Sequence, residues 1–194
     1  AAAAAVGRTR RAATTELAKR VEGHLRDLAM VHASIAIVVG DDDPGDDVAF
    51  LLAANPGAPL LPLARVASGG ELARTMLALR LVLTEAPETL VFDEVDAGIG
   101  GDAAGAVGDA LARLGNRHQV LVVTHLAQVA ALASSHVMVR KQVVGSETIA
   151  TAVPVEGDAR VDEVARMLSG HRAGASARTH AGELIARGGP SKRR

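Results

Sequence analysis

Two short apolar runs, at residues 90–92 and 120–123, constrain the fold of this chain more than any other feature. Each has the length and composition of a buried β-strand. Between the two runs, apolar residues recur at helical spacing at Ala103, Val107, Ala110, Leu111 and Leu114. Gly115-Asn116 follows as a helix stop signal. A strand, a helix and a second strand over so short a span predict a βαβ unit with parallel strands and a right-handed crossover. The sequence therefore predicts an α/β fold.

The N-terminal part is predicted to form one helix and a β-hairpin. Over residues 9–30, one helical face carries a mostly apolar stripe at Leu17, Val21, His24 and Leu28. The stripe fits an amphipathic helix packed on a domain or the end of a coiled coil, although fewer than three heptads are visible. Ser34–Val39 and Val48–Ala53 are predicted strands on either side of an acidic segment, residues 41–47. Pro44 and the lack of a suitably spaced downstream Glu argue against a calcium loop, so we interpret the segment as a solvated hairpin loop.

The remaining apolar patterns predict further helices and strands before and after the βαβ unit. Helical spacing of apolar residues predicts helices over residues 71–83, 128–133, 161–168 and 175–186. Residues 137–139 form another predicted strand, and residues 143–149 are typical of a hairpin.

Composition excludes several classes of protein. The chain of 194 residues has a net charge of −1, so no global basic field marks a nucleic-acid binder. Its local basic clusters, residues 8–11 and 191–194, are interpreted as solvated ends. There is no cysteine, which excludes disulfides and thiolate metal sites. No apolar stretch is long enough to cross a bilayer, and residues 1–5 lack the charged region of a signal peptide. We therefore expect a cytoplasmic protein that does not enter a membrane.

Adjacent carboxylates follow the first strand of the βαβ unit. Ligands of parallel α/β sheets gather beyond the carboxyl ends of the strands, which is where Asp93 and Glu94 stand. Asp93 can hold Mg²⁺, often through water, and Glu94 can orient or deprotonate a water molecule that attacks a γ-phosphate. Two adjacent buried acids repel each other, and a cation would offset that repulsion. The alternative interpretation is a simple strand exit.

Thr124-His125 occupies the same topological place after the second strand. Because the two strands are predicted neighbours, His125 is expected to project into the same crevice as Glu94. An imidazole in that position can hydrogen-bond a γ-phosphate and report its presence. A structural histidine at a strand end is the alternative.

Ser68-Gly69-Gly70 precedes the predicted helix that begins at Glu71. Successive glycine amides at a helix N-terminus favour an anion, because the unpaired N–H groups and the helix dipole both attract phosphate. The same residues also fit a capped helix start, with Ser68 as N-cap and Glu71 completing a capping box. The two interpretations are compatible.

In chain order, these motifs resemble the C-terminal half of an ABC-type ATPase head. Ser-Gly-Gly-Glu, the strand with Asp-Glu, residues 96–101 and the strand with Thr-His resemble its signature motif, Walker B, D-loop and H-loop. The exact residues within and around these motifs resemble those of the RecN family of SMC-like bacterial DNA-repair proteins. That likeness is carried by residues 50–57, 67–74, 91–101 and 122–130, and it extends from about residue 8 to residue 187. Transporter-type heads usually carry Gln where Glu71 stands.

The resemblance implies a role for each motif residue, with ATP and Mg²⁺ as the ligands. Asp93 would help to hold Mg²⁺, Glu94 would be the general base, and His125 would be the γ-phosphate switch. The signature, Ser68-Gly69-Gly70-Glu71, would contact the nucleotide bound mainly by a second head. Asp96 would belong to the D-loop that crosses to that head.

The resemblance also implies a division of the chain and a missing part. Residues 1–30 would be the returning end of a coiled coil, residues 31–187 the C-terminal lobe of an ABC/SMC-type P-loop NTPase head, and residues 188–194 a disordered basic tail. None of the three lysines stands in a P-loop motif. We therefore expect this chain to be a piece of a longer protein whose N-terminal lobe supplies the P-loop.

The expected function follows from the same resemblance. ATP would bridge two heads of a homodimer, and hydrolysis would separate them during recombinational repair of DNA double-strand breaks in the nucleoid. The chain alone is expected to be inactive. Two alternatives stay open, namely the nucleotide-binding subunit of an ABC transporter and a truncated, non-catalytic interaction module.

Overall fold

The computed structural model describes residues 1–65, 68–83, 87–144, 147–170 and 173–188. The chain divides into two compact units, Ala1–Val123 and Thr124–Arg194. The elements of the first unit are α1 (Ala2–Asp27), β1 (Ser34–Val39), β2 (Val48–Ala53), β3 (Leu61–Pro62), α2 (Gly69–Val82), β4 (Thr89–Phe92), α3 (Gly101–Gly115) and β5 (Gln119–Val122). Those of the second unit are α4 (Ala127–Ala130), β6 (His136–Val144), β7 (Glu147–Val155), α5 (Gly157–Ser169) and α6 (Ala175–Arg187).

Helix α1 begins earlier than the predicted residue 9, at Ala2, because its first residues are alanines, the strongest helix formers. It ends at Asp27, and Ala29 follows in the left-handed region with φ of 61°. Val21 and Leu28 of the predicted stripe are fully buried together with Leu25, whereas Leu17 and His24 are half-buried. This face packs α1 against β1 and α2. The predicted hairpin is confirmed, since β1 pairs antiparallel with β2, from Ser34–Ala53 to Val39–Val48, and β3 pairs with β2.

The acidic loop between β1 and β2 is not simply solvated, and neither is the basic cluster of α1. Arg11 donates hydrogen bonds to Gly40 O at 2.8 Å and to Asp43 Oδ1 at 2.7 Å. Arg10 forms an ion pair with Asp46 and donates to the backbone carbonyl of Gly45 at 3.1 Å. Both segments are largely exposed, as expected, but they also pair with each other, which the sequence did not predict. The opposite charges are distant in sequence but adjacent in the fold, and they hold the loop against α1.

The predicted βαβ unit is confirmed as β4, α3 and β5. The two strands are parallel, with Thr89 opposite Gln119 and Phe92 opposite Val122. One face of each strand is exposed, and the other is buried in β4 and half-buried in β5, which corrects the expectation of fully buried strands. Leu90 and Phe92 are buried, whereas the intervening Val91 is 68% exposed. The apolar run alone did not reveal this, because valine and leucine stand on both faces of each strand.

The second unit combines a long hairpin with two packed helices. β6 and β7 pair antiparallel from His136–Val155 to Val144–Glu147, and the turn of this hairpin lies outside the described residues. The apolar contacts between α4, α5 and α6 centre on five fully buried or nearly buried residues, Ala127, Ala131, Val164, Ala165 and Ala181. Helix α4 spans one turn, shorter than the predicted residues 128–133.

Two charged side chains of α5, the half-buried Arg160 and the buried Glu163, support the second unit. Arg160 of α5 donates to the carbonyls of Ala131 at 3.1 Å and Ala133 at 2.6 Å, beyond the end of α4. Glu163 accepts two bonds from Arg166, at 2.8 and 2.7 Å. This pairing lowers the pKa of the Glu163 carboxyl, although burial opposes the shift.

Two further expectations from the sequence were a disordered C-terminal tail and the lack of a membrane-spanning segment. The predicted tail, residues 188–194, lies outside the described residues except for Gly188. Among the helices that the structure describes, none has both the length and the apolar character needed to cross a membrane.

Candidate functional site

The site begins at the N-terminus of α2. Ser68 is the N-cap, with an extended backbone, and its Oγ accepts a hydrogen bond from Glu71 N at 3.4 Å. Leu72 N donates to Ser68 O at 3.1 Å, so α2 is hydrogen-bonded from its first turn. Gly69 and Gly70 form that first turn, where backbone N–H groups lack partners within the helix. The geometry suits both a capped helix start and a phosphate, and the nucleotide contacts of these residues stay a prediction.

The loop after β4 turns both predicted acids toward solvent. Asp93 and Glu94 are exposed, and Asp93 Oδ1 accepts a bond from Glu94 N at 3.0 Å. Glu94 adopts the left-handed region with φ of 55°, which costs energy for a residue with a side chain. The expected pair of adjacent buried acids was therefore wrong, because the turn directs the chain outward immediately after Phe92. Asp96 is the buried acid instead, 2% exposed beside the fully buried Val95.

The two motifs lie next to each other in the fold. A Cβ built on Gly69 would overlap the carboxylate of Glu94, so that side chain lies against the first turn of α2. A Cβ on Gly70 would come within 2.7 Å of Ala97 O, in the loop that follows the acids. The approach at Gly70 requires a residue without a side chain, whereas at Gly69 only the flexible end of the Glu94 side chain would have to move. Ser68-Gly69-Gly70 therefore lies against residues 93–97, although 22 residues separate the two stretches in sequence.

Sequence reasoning missed Arg74, which connects the two motifs. It is only 6% exposed, and its Nη1 donates to Ala97 O at 2.8 Å. Burial lowers the pKa of the Arg74 guanidinium below its usual value, and the nearby Glu71 carboxylate opposes the shift. The sequence could in principle have indicated the burial of Arg74, because this residue stands just before the apolar residues of the buried face of α2. An arginine near a helix start is nevertheless usually solvated.

The residues present are compatible with Mg²⁺ bound together with a nucleotide. Within the described ranges, no group of three or more His, Cys, Asp or Glu side chains could hold a metal ion. A nucleotide-bound Mg²⁺ takes only one or two protein carboxylates, with phosphate and water oxygens as its other ligands. Asp93 is exposed at the end of a parallel strand and could supply one such carboxylate. Its role as a metal ligand stays a prediction.

Thr124 and His125 belong to the second unit. They follow the last residue pair of β5 along the chain, and Thr124 Oγ1 accepts a bond from Leu126 N at 3.0 Å just before α4 begins. His125 is exposed. The expected approach of His125 to Glu94 stays a prediction, because the two residues lie in different units.

Comparison of sequences identifies the relatives of this chain. No family model matches it. It is 44% identical over 187 residues to the DNA repair protein RecN of Treponema pallidum, covering 90% of this chain and 33% of that protein. It is 49% identical over 167 residues to the RecN of Deinococcus radiodurans, covering 84% of this chain and 29% of that protein. The chain thus spans about a third of the length of the curated relatives that it matches.

Comparison of structures identifies the fold. The Smc head domain of Pyrococcus yayanosii, solved with a coiled coil and joint, gives a TM-score of 0.55 at 20% identity, covering 72% of this chain and 26% of that chain. The Smc head of Pyrococcus furiosus, solved with the C-terminal domain of ScpA, gives 0.53 at 18% identity, covering 71% and 34%. The predicted fold class, the C-terminal lobe of an ABC/SMC-type head, is confirmed. By sequence, this chain is therefore similar to about one third of the DNA repair protein RecN, and its fold is that of part of an Smc head domain.

Proposed function

We propose that the chain is the C-terminal lobe of an SMC-like ATPase head that acts in recombinational repair of DNA double-strand breaks. The observation that carries this proposal is the adjacency of two motifs. The glycine-rich start of α2 lies against the loop that holds Asp93 and Glu94. Both motifs stand where an α/β fold collects phosphate ligands, at a helix N-terminus and at the carboxyl end of a parallel strand.

On this proposal, Asp93 and Glu94 serve the nucleotide of their own head. Asp93 would supply a carboxylate to Mg²⁺, and the metal would neutralise charge on the phosphates. Glu94 would accept a proton from the attacking water, and its exposure leaves room for that water. His125 would hydrogen-bond the γ-phosphate. The P-loop, which would hold the β- and γ-phosphates, belongs to the rest of the protein.

The first turn of α2 would serve the nucleotide held by a second copy of the head. Ser68, Gly69 and Gly70 would complete that site in trans, and their N–H groups would stabilise negative charge on the γ-phosphate. Asp96 is buried, so its side chain can reach a second head only after the loop moves. Head–head contact would therefore be made first by the exposed residues around it, such as Gly98 and Gly100.

The DNA-repair part of the proposal rests on the relatives, which carry the name DNA repair protein RecN. Within the described part of the first unit, Arg10 and Arg11 are engaged with the acidic loop, so this cluster does not offer its full charge to DNA. We assign DNA contact to the complete protein, in the cytoplasm at the nucleoid. This assignment agrees with the net charge of −1.

The test is ATP hydrolysis by the full-length protein that contains this chain. Glu94→Gln should lower kcat by about 100-fold or more while ATP binding is retained, because the amide cannot accept the proton. Glu88→Gln, an exposed acid just before β4, is the matched control and should leave kcat unchanged. Hydrolysis that survives Glu94→Gln would overturn the assignment of the base.

The isolated chain provides a second arm. It should neither bind ATP tightly nor hydrolyse it, since the P-loop lobe is elsewhere. Turnover by the isolated chain that Glu94→Gln abolishes would show that the site is complete without that lobe, which contradicts the proposed division of labour.

A further inference from the structure

Arg74 is a buried charge with an incomplete set of partners. Only 6% of it is exposed, and its Nε is buried without a hydrogen-bond partner among the described residues. Burying a guanidinium and leaving one of its donors unsatisfied both destabilise a fold. An apolar residue at this position of α2 would avoid both costs. The arginine therefore calls for an explanation other than packing.

The contacts of Arg74 lead to Glu94 through consecutive hydrogen bonds. Arg74 Nη1 donates to Ala97 O at 2.8 Å, and Ala97 N donates to Glu94 O at 3.0 Å. Glu94 N in turn donates to Asp93 Oδ1 at 3.0 Å. The backbone of Glu94 is thus held on both sides while its φ is in the left-handed region. Such a conformation persists only when surrounding contacts impose it.

The first turn of α2 touches the same point of the loop. A Cβ on Gly70 would lie 2.7 Å from Ala97 O, 3.0 Å from Ala97 Cβ and 3.2 Å from Arg74 Nη1. The helix start, the Arg74 side chain and the loop therefore meet at Ala97. If the helix start moves, Ala97 must move with it, because atoms in close-packed contact cannot shift independently.

We propose that Arg74 is a positioning residue, which fixes the loop bearing Asp93 and Glu94 against the first turn of α2. This inference rests on the proposed function, in which Glu94 orients the attacking water. In this role Arg74 acts through Ala97 and Glu94. Its loss should therefore affect the chemical step more than the binding of ATP, which depends chiefly on the P-loop.

The kinetic test compares three variants of the full-length protein. Arg74→Met keeps the length of the side chain but removes the donor to Ala97, and should lower kcat about 10- to 100-fold through misplacement of Glu94. The KM for ATP should change by less than about threefold. Arg74→Lys keeps one donor and should restore part of kcat. Arg113→Met, at an exposed position of α3, is the control and should behave as wild type.

Two kinetic outcomes would overturn the inference. One is a kcat of Arg74→Met within about twofold of wild type. The other is equal loss in Arg74→Met and Arg74→Lys together with equal loss of thermal stability, which indicates a structural role alone.

Amide hydrogen exchange separates this inference from the proposed function, because it needs no ATP. In the 194-residue chain, Arg74→Met should accelerate exchange of the Ala97 amide. The Val123 amide, which donates to Phe92 O at 3.0 Å next to the same strand, should stay unchanged. If the wild-type protein hydrolyses no ATP, the proposed function fails, yet selective acceleration at Ala97 still supports the link. Equal acceleration at both amides, or none at either, overturns it.

Discussion

The close approach of α2 to the loop after β4 predicts that Gly70→Ala destabilises the first unit. Replacing glycine by alanine inside a helix normally stabilises it by about 0.5–1 kcal/mol. Here the new Cβ would lie 2.7 Å from Ala97 O and 3.0 Å from Ala97 Cβ, so backbone must move. Overpacking of this kind costs about 1–3 kcal/mol. The expected net loss is therefore about 0.5–2 kcal/mol of unfolding free energy.

Two other glycines give matched controls. A Cβ on Gly105, within α3, meets nothing within 4 Å. Gly105→Ala should therefore raise the unfolding free energy by the full difference in helix propensity, about 0.5–1 kcal/mol. A Cβ on Gly69 meets only the end of the flexible, exposed Glu94 side chain, which can turn away. Gly69→Ala should therefore leave stability within about 0.5 kcal/mol of wild type.

Urea unfolding of the chain, followed by far-UV circular dichroism, measures these differences. The sequence contains no Trp or Tyr, so intrinsic fluorescence is not a useful probe. Gly70 and Gly105 both lie in the first unit, and the same transition reports on both. The midpoint should fall for Gly70→Ala and rise for Gly105→Ala. A Gly70→Ala chain as stable as Gly105→Ala would refute the packing of α2 against Ala97.

Three further predictions concern other contacts, each measured by the same titration. Arg11→Ala should lower the unfolding free energy by about 1–2 kcal/mol, because it removes hydrogen bonds to the β1–β2 loop. Arg8→Ala should lower it by less than about 0.5 kcal/mol. Equal losses would contradict a stabilising contact between Arg11 and that loop. Leu25→Ala should cost about 2–5 kcal/mol as a fully buried side chain, and the exposed Val6→Ala should cost little. Glu163→Gln should destabilise the fold at neutral pH. The difference in unfolding free energy between this variant and wild type should shrink as the pH falls through and below the ordinary carboxyl pKa of 4.5. Its folded pKa is lowered, so the stability it contributes is present above the unfolded pKa and is lost in acid; a gap independent of pH would argue against the ion pair.

The elements predicted from the sequence are those specified by local patterns. The βαβ unit was predicted because its helix and both strands have short, unambiguous apolar patterns, and β4 and β5 are indeed parallel. The β1–β2 hairpin was predicted because a β-branched run and a second apolar run flank a polar segment. In each case, the residues that determine the structure are neighbours in sequence or lie within one connection of each other.

The parts that could not be predicted depend on contacts between distant segments. Exposure of Val91 depends on which face of the strand other elements cover. The pairing of Arg11 with Asp43 joins positions 32 residues apart, and each sequence cluster looked solvated by itself. The outward turn at Glu94 and the burial of Asp96 depend on how the loop meets α2. None of these contacts leaves a periodic signal in the sequence.

The two glycines at the start of α2 separate packing from nucleotide chemistry, although the sequence presents them as a single motif. Gly70 is required by its contact with Ala97 whether or not phosphate binds nearby, so its presence is no evidence of a nucleotide. Gly69 faces only the movable end of Glu94, so packing alone does not demand glycine there. Hydrolysis by the full-length Gly69→Ala protein consequently probes the proposed chemistry, namely the phosphate contact together with the placement of the Glu94 carboxylate, since a loss of activity there cannot be attributed to a loss of fold.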